Sequence, residues 1–170
     1  MSGKLPLHVG NIGRFGPILS MYTTNNAGGV AWPANNRALY FPVHLPAPFL
    51  VARGYLVNDG NNTGNVDIGV YTIGGTRLVS SGSTARGSTN ATQYIDLTDT
   101  WLGPGDYYWA LVASSTSGVF TAVASGVSQC RADGMLQEDL GATTLPSSMS
   151  PAAIATANIP LFGFTQSATL

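Results

Sequence analysis

Seven residues, Tyr107-Tyr108-Trp109-Ala110-Leu111-Val112-Ala113, run without a charge and put apolar side chains on both faces of a strand. Successive strand residues point to opposite faces, so such a strand must be covered on two sides. An isolated sheet open to water is therefore excluded. Residues 107–113 are expected to sit centrally, beneath a second layer. The stretch is also far short of the roughly 18 apolar residues that a membrane-spanning helix needs, and no other segment reaches that length.

Upstream, Asn65 to Gly82 (NVDIGVYTIGGTRLVSSG) holds two strand-like runs around Gly74-Gly75. A two-residue turn of type I′ needs positive φ at both central positions, which glycine supplies. Closing the hairpin there pairs Ile73 with Thr76, Tyr71 with Leu78 and Val70 with Val79. It puts Val66, Ile68, Val70 and Val79 on one face, the expected core side. Phe49–Val57 reads as the preceding strand, and the Asn/Gly-rich stretch 58–65 turns the chain into the hairpin. Gln93–Leu97 is a short strand. Gly103-Pro104-Gly105-Asp106 is a tight turn, and Val119–Ala124 is expected to return against residues 107–113 as a second hairpin.

Helical signals are nearly absent. The chain contains one Glu and one Lys, and charged residues make up 9% of it, against about 25% in ordinary soluble domains. With 21 Gly and 10 Pro, short strands separated by turns point to an all-β, antiparallel sandwich of jelly-roll-like form. One helical turn is expected at Leu136–Leu140. The terminal regions lack strand periodicity, so the organisation reads as an N-terminal arm over residues 1–37, a sandwich over 38–126 and a C-terminal arm over 127–170. Both arms carry apolar side chains without a pattern that buries them. Leu5, Leu7, Ile12, Phe15, Leu161, Phe162 and Phe164 are accordingly the interface candidates, since contiguous exposed apolar surface marks an interaction site.

Charge also bounds function. A net charge of −1 with six scattered arginines offers no basic patch, so nucleic acid is not an expected partner. A surface this poor in charge is unusual for a free monomer and points to burial against partners. The single Cys130 excludes an intrachain disulfide and a cysteine-based zinc site, and reads as a small packing residue. The N-terminal stretch MSGKLPLHVG, broken by Pro6, His8 and Gly10, does not read as a signal peptide, so synthesis in a cytoplasm is expected.

No catalytic, metal or cofactor site is assigned. His8 and His44 are the only imidazoles, and no nucleophile elbow accompanies them. Several of the eight acids sit in turns, where Asp ordinarily bonds nearby backbone. Asn58-Asp59-Gly60-Asn61-Asn62 lacks the alternating acids and final Glu of a calcium loop, so it reads as a plain connection. Among the aromatics, Trp32, Tyr107, Tyr108 and Trp109 read as core. Trp101, beside a Gly-Pro turn, is the one candidate for glycan contact.

The order "DIGVYTIGGTRLVSSGST" followed by "IDLTDTWLGPGDYYWALVAS" resembles a β-sandwich module of tailed-bacteriophage virion proteins. The residues that carry the resemblance are Gly69-Val70-Tyr71, Gly74-Gly75, Arg77-Leu78, Gly82 and Leu102 through Leu111. It covers roughly residues 50–115 and neither arm. Such modules occur in head decoration proteins, tail fibres and sugar-binding domains. The resemblance implies a non-enzymatic virion protein, foremost a capsid decoration (cement) protein on the outer head surface. Its implied partners are the major capsid protein and itself, as a homotrimer at local threefold positions. The alternative is a tail-fibre or baseplate component, or a carbohydrate-binding module, attaching to host glycans. The family supplies no catalytic residues.

Overall fold

The computed structural model describes residues 14–15, 27–124, 126–156 and 158–166. In chain order the elements are β1 (Arg14–Phe15), β2 (Ala27–Ala31), β3 (Arg37–Leu45), β4 (Phe49–Val57), β5 (Asn65–Thr72), β6 (Arg77–Ser80) and β7 (Thr84–Ala85). Then follow β8 (Thr92–Leu102), β9 (Gly105–Ala113), β10 (Val119–Ala124), α1 (Val127–Ala132), β11 (Leu136–Asp139), β12 (Ala152–Ala153), β13 (Asn158–Pro160) and β14 (Phe162–Thr165). The fold is all-β, with antiparallel sheets packed face to face. The larger sheet runs β12-β11-β3-β9-β5-β6, with β7 also on β5; the second runs β1-β14-β4-β8; a three-stranded sheet is ordered β13-β10-β2.

Strand β9 lies centrally, between β3 and β5, as its two apolar faces require. Trp109, Leu111 and Ala113 face the main core with Leu39, Phe41, Val66, Ile68 and Val70, and meet Val51, Leu56, Ile95 and Leu102 from the second sheet. Val79 is on the core side too, so the expected face of the hairpin is the observed one. Close approach of the two sheets depends on Gly54, where a Cβ would come within 2.8 Å of Ile68 Cγ2. Across the other face of the larger sheet, Ala38, Tyr40, Tyr71, Ala110 and Val112 form a second cluster with Leu145. Its cover is a strap of residues 140–150.

That strap corrects the expectation of a C-terminal arm. Residues 127–166 supply one helix and four strands: β11 pairs with β3, β13 with β10, and β14 with β4. The sandwich also starts before residue 38, because β2 pairs with β10 along its length. Leu136–Asp139 is a strand, not a helical turn. Pairing to the β3 edge decides it, and the register sets Asp139 opposite Arg37 so that their side chains meet. No second hairpin forms between β9 and β10, because both edges of β9 are already occupied by β3 and β5. The helical turn lies instead at Val127–Ala132, with Cys130 fully buried.

The β5–β6 connection differs from a two-residue turn. Thr72 N donates to Thr76 O at 2.8 Å and Gly75 N to Thr72 O at 2.9 Å, which makes Ile73-Gly74-Gly75 a three-residue loop. Only Gly75 has positive φ, +88°, as in a turn closed by a left-handed residue. A bulge then shifts the register, so Tyr71 faces Arg77 rather than Leu78, while Val70 still faces Val79. Strand β8 is longer than expected and continues through Trp101 to Leu102, paired with β4.

Candidate attachment surface

The C-terminal interface candidates are taken up by the fold itself. Phe162 and Phe164 are 1% and 0% exposed; their rings meet Phe41 and Trp109 with centroids 5.1 and 5.0 Å apart. Side chains locked edge-to-face in the core have no surface to offer, so these two are not docking residues. Leu161 is half-buried, and its backbone bridges Thr121 O and Val57 N. Leu5, Leu7 and Ile12 lie outside the described residues. Phe15 is described as backbone only, paired with Phe164 in β1.

Trp101 stands out in the opposite sense, with 72% of its surface exposed. Its neighbour across the strand pair is Leu50, on the outer face of the second sheet. Leu102 and Phe49, one position on, turn inward into the core.

The registers place three connections at this end of the molecule. Leu45 lies opposite Gly105, Phe49 opposite Leu102, and Thr72 opposite Tyr107. Residues 46–48 join β3 to β4 and 103–104 join β8 to β9, so these short links tie the same end of both sheets together. Pro46, Ala47, Pro48, Gly103 and Pro104 are exposed, and Ile73 in the third loop is 57% exposed. The opposite end is built from residues 32–36, 58–64, 86–91 and 114–118, rich in Asn, Ser, Thr and Gly. There, Asn61 Oδ1 accepts from the Thr63 N–H and hydroxyl, and Asp59 Oδ1 from Gly60 N. These are the local bonds of an ordinary polar loop. The apolar end went unseen in the sequence, because its loops converge only once each strand is assigned to a sheet.

Most of the ionisable side chains among the described residues are engaged within the molecule. Arg37 donates to both carboxylate oxygens of Asp139, at 2.6 and 3.0 Å; this pairing holds the Asp139 carboxyl below, and the Arg37 guanidinium above, its ordinary range. Arg53 bonds Asp96, and His44 Nδ1 lies 2.8 Å from Asp106 Oδ1. The Tyr40 hydroxyl donates to Glu138 Oε2 at 2.7 Å, and burial drives its pKa far above the usual phenol range. Arg77 and Arg131 donate to the carbonyls of Leu145 and Ile154.

Among the described residues, two charged groups are buried, Asp67 and Arg86. Asp67, 0% exposed, accepts from Leu145 N at 2.8 Å and from the Ser81 hydroxyl at 3.1 Å; burial raises its pKa. Arg86 donates from Nε and Nη2 to Asn58 Oδ1 at 3.0 and 2.8 Å and stacks 3.9 Å from the Phe120 centroid. Burial lowers its pKa to about 10. Both groups bind distant backbone together, which is structural work. Among the described residues, no group of three or more His, Cys, Asp or Glu side chains is placed to hold a metal ion.

No protein-family model, curated protein or solved structure matches this chain.

Proposed function

We propose that this chain is a non-enzymatic structural protein of a tailed-bacteriophage virion, a decoration protein seated on the outer surface of the head with the major capsid protein as its partner. The supporting observation is the way charge is distributed. All five arginines with described side chains donate to carboxylates, carbonyls or a buried amide of the same chain, while Pro46, Pro48, Ile73, Trp101 and Pro104 face water. A protein so finished has little charge to offer a polyanion and much apolar surface to offer another protein. The residues that resemble phage virion modules form the continuous run from β4 to β9. Assembly as a homotrimer on local threefold positions belongs to the same reading.

A second reading, attachment to host glycans from a tail fibre or baseplate, is favoured by the exposed indole of Trp101, a ring suited to stacking on a sugar face. Co-sedimentation separates the two. The full chain is mixed with heads stripped of it and, separately, with host cells and purified surface polysaccharide. Saturable binding to heads alone supports decoration. Binding to cells or polysaccharide with none to heads overturns it in favour of adhesion.

A further inference from the structure

We infer that Asp59-Gly60 is a site of spontaneous covalent modification, at which the folded protein converts Asp59 to isoaspartate through a cyclic imide. The chain has two Asp-Gly pairs, Asp59-Gly60 and Asp133-Gly134. The fold opens the first to this chemistry and closes the second.

The conversion needs only water. The Gly60 nitrogen bonds to Asp59 Cγ, one carboxyl oxygen leaves as water with the amide and carboxyl protons, and a five-membered imide closes. Water then adds to one of the two imide carbonyls and breaks its bond to nitrogen. Addition at the side-chain carbonyl restores aspartate. Addition at the former main-chain carbonyl leaves the chain running through Cβ and Cγ, with a free α-carboxylate. Glycine in the following position favours closure, because it brings no side chain against the ring and its backbone turns freely.

At Asp59 the reacting groups are already neighbours. The Gly60 N–H donates to Asp59 Oδ1 at 2.6 Å, so the nitrogen lies against the carboxyl group it must attack. Gly60 is exposed, and beyond its chain neighbours no heavy atom stands within 4 Å of its Cβ position. The ring therefore has room to form. The Asp59 carbonyl accepts from Asn90 N at 3.3 Å, a long bond that gives way easily.

The other pair is locked at the end of α1. Gly134 N donates to Arg131 O and Met135 N to Cys130 O, both at 3.0 Å, with Gly134 at φ +77°. These are the paired bonds of a Schellman helix ending. The Asp133 carboxylate is turned back along the helix, its Oδ1 accepting from Gln129 Nε2 at 2.8 Å. Cys130 and Met135, which the second bond joins, are both buried. Ring closure at Asp133 must first undo this ending, so the same dipeptide is protected here.

The test ages the full chain at neutral pH, folded and in parallel unfolded in guanidinium chloride, until the unfolded chain has converted measurably at both pairs. Isoaspartate is assigned by peptide mapping with electron-transfer fragmentation, which yields backbone fragments that aspartate does not give. The folded protein should carry several-fold more isoaspartate at position 59 than at 133, and the two positions should converge in the unfolded chain. Gly60→Ala should lose the conversion at 59 and leave that at 133 unchanged. Equal conversion at the two pairs in the folded protein, or more at 133, would overturn the inference. So would an absence of isoaspartate at 59 in the folded protein, or conversion there that Gly60→Ala leaves as it was.

Discussion

The backbone N–H of Leu145 donates to Oδ2 of Asp67 at 2.8 Å, across 78 positions of sequence. Asp67 belongs to β5, in the larger sheet, and Leu145 to the strap over that sheet's outer face. Beside this bond the Tyr71 hydroxyl donates to Pro146 O at 2.7 Å, and Arg77 N donates to Ser147 O at 2.9 Å. The strap is thus held by side chains and backbone of β5 and β6, with Leu145 inserted against Gly69, where a Cβ would come within 2.9 Å of Leu145 Cδ1.

Removing the Asp67 carboxylate tests that tether. Asp67→Ala leaves the buried Leu145 N–H without its acceptor and should cost about 1–3 kcal/mol, with faster amide exchange concentrated in residues 143–149. Exchange that rises evenly over the whole chain would contradict a local tether.

The same carboxylate sets a pH dependence of known sign. Burial raises the folded-state pKa of Asp67 above its unfolded value, so the folded protein holds the proton more tightly. The stability linked to this group is complete below the ordinary Asp range and is lost as pH rises through the raised value. Asn at position 67 has no such titration. Urea melts over a series of acidic to neutral pH values should show wild type losing stability relative to Asp67→Asn as pH rises; parallel curves would contradict the assignment.

The hairpin glycines are not equivalent. Gly75 has φ +88° and its Cβ position lies 3.1 Å from Met149 Cγ, whereas at Gly74 the nearest atom is 3.8 Å away. Gly75→Ala should cost about 1–2 kcal/mol for the left-handed conformation, and thermal melting should show a drop of about 2–4 °C per kcal/mol. Gly74→Ala should melt close to wild type. Equal effects at the two positions would contradict the three-residue loop.

Gly54 and Ile68 should be coupled. A methyl group at Gly54 meets Ile68 Cγ2 and Cδ1, at 2.8 and 2.9 Å, so Gly54→Ala must push the two sheets apart. Overpacking of this kind costs about 1–3 kcal/mol. In the Gly54→Ala/Ile68→Ala double variant the colliding atoms are gone, and the combined loss should fall short of the sum of the single losses. Strict additivity in denaturant melts would show that the sheets do not meet there.

Much of the larger sheet was legible because β5, β6 and β9 carry the period-two pattern or the two-faced apolar run that only a covered strand explains. Strand β14 was not. Phe162-Gly163-Phe164 is too short to show a period, and nothing local distinguishes two phenylalanines seeking a neighbour's surface from two that fill their own core. Strand β11, Leu-Gln-Glu-Asp, has helix-compatible residues, and the free edge of β3 decides its conformation. Trp101 was legible as exposed from its turn, yet its company of Pro46, Pro48 and Ile73 depends on links between sheets that carry no sequence signal.

The tail makes the sharpest difference between an arm and a core element. Phe164→Ala should cost about 3–5 kcal/mol, a large share of the 5–15 kcal/mol that holds a typical domain together. Deleting residues 158–170 should therefore abolish cooperative unfolding in circular dichroism. A truncated chain that melts like wild type would restore the tail as a separable arm.

The proposed place of this chain on a viral head is tested by its stoichiometry in purified particles. Quantitative mass spectrometry of intact virions, referenced to the major capsid protein, should find this chain in a simple ratio to the shell subunit. A few copies per particle, or none, would contradict the claim.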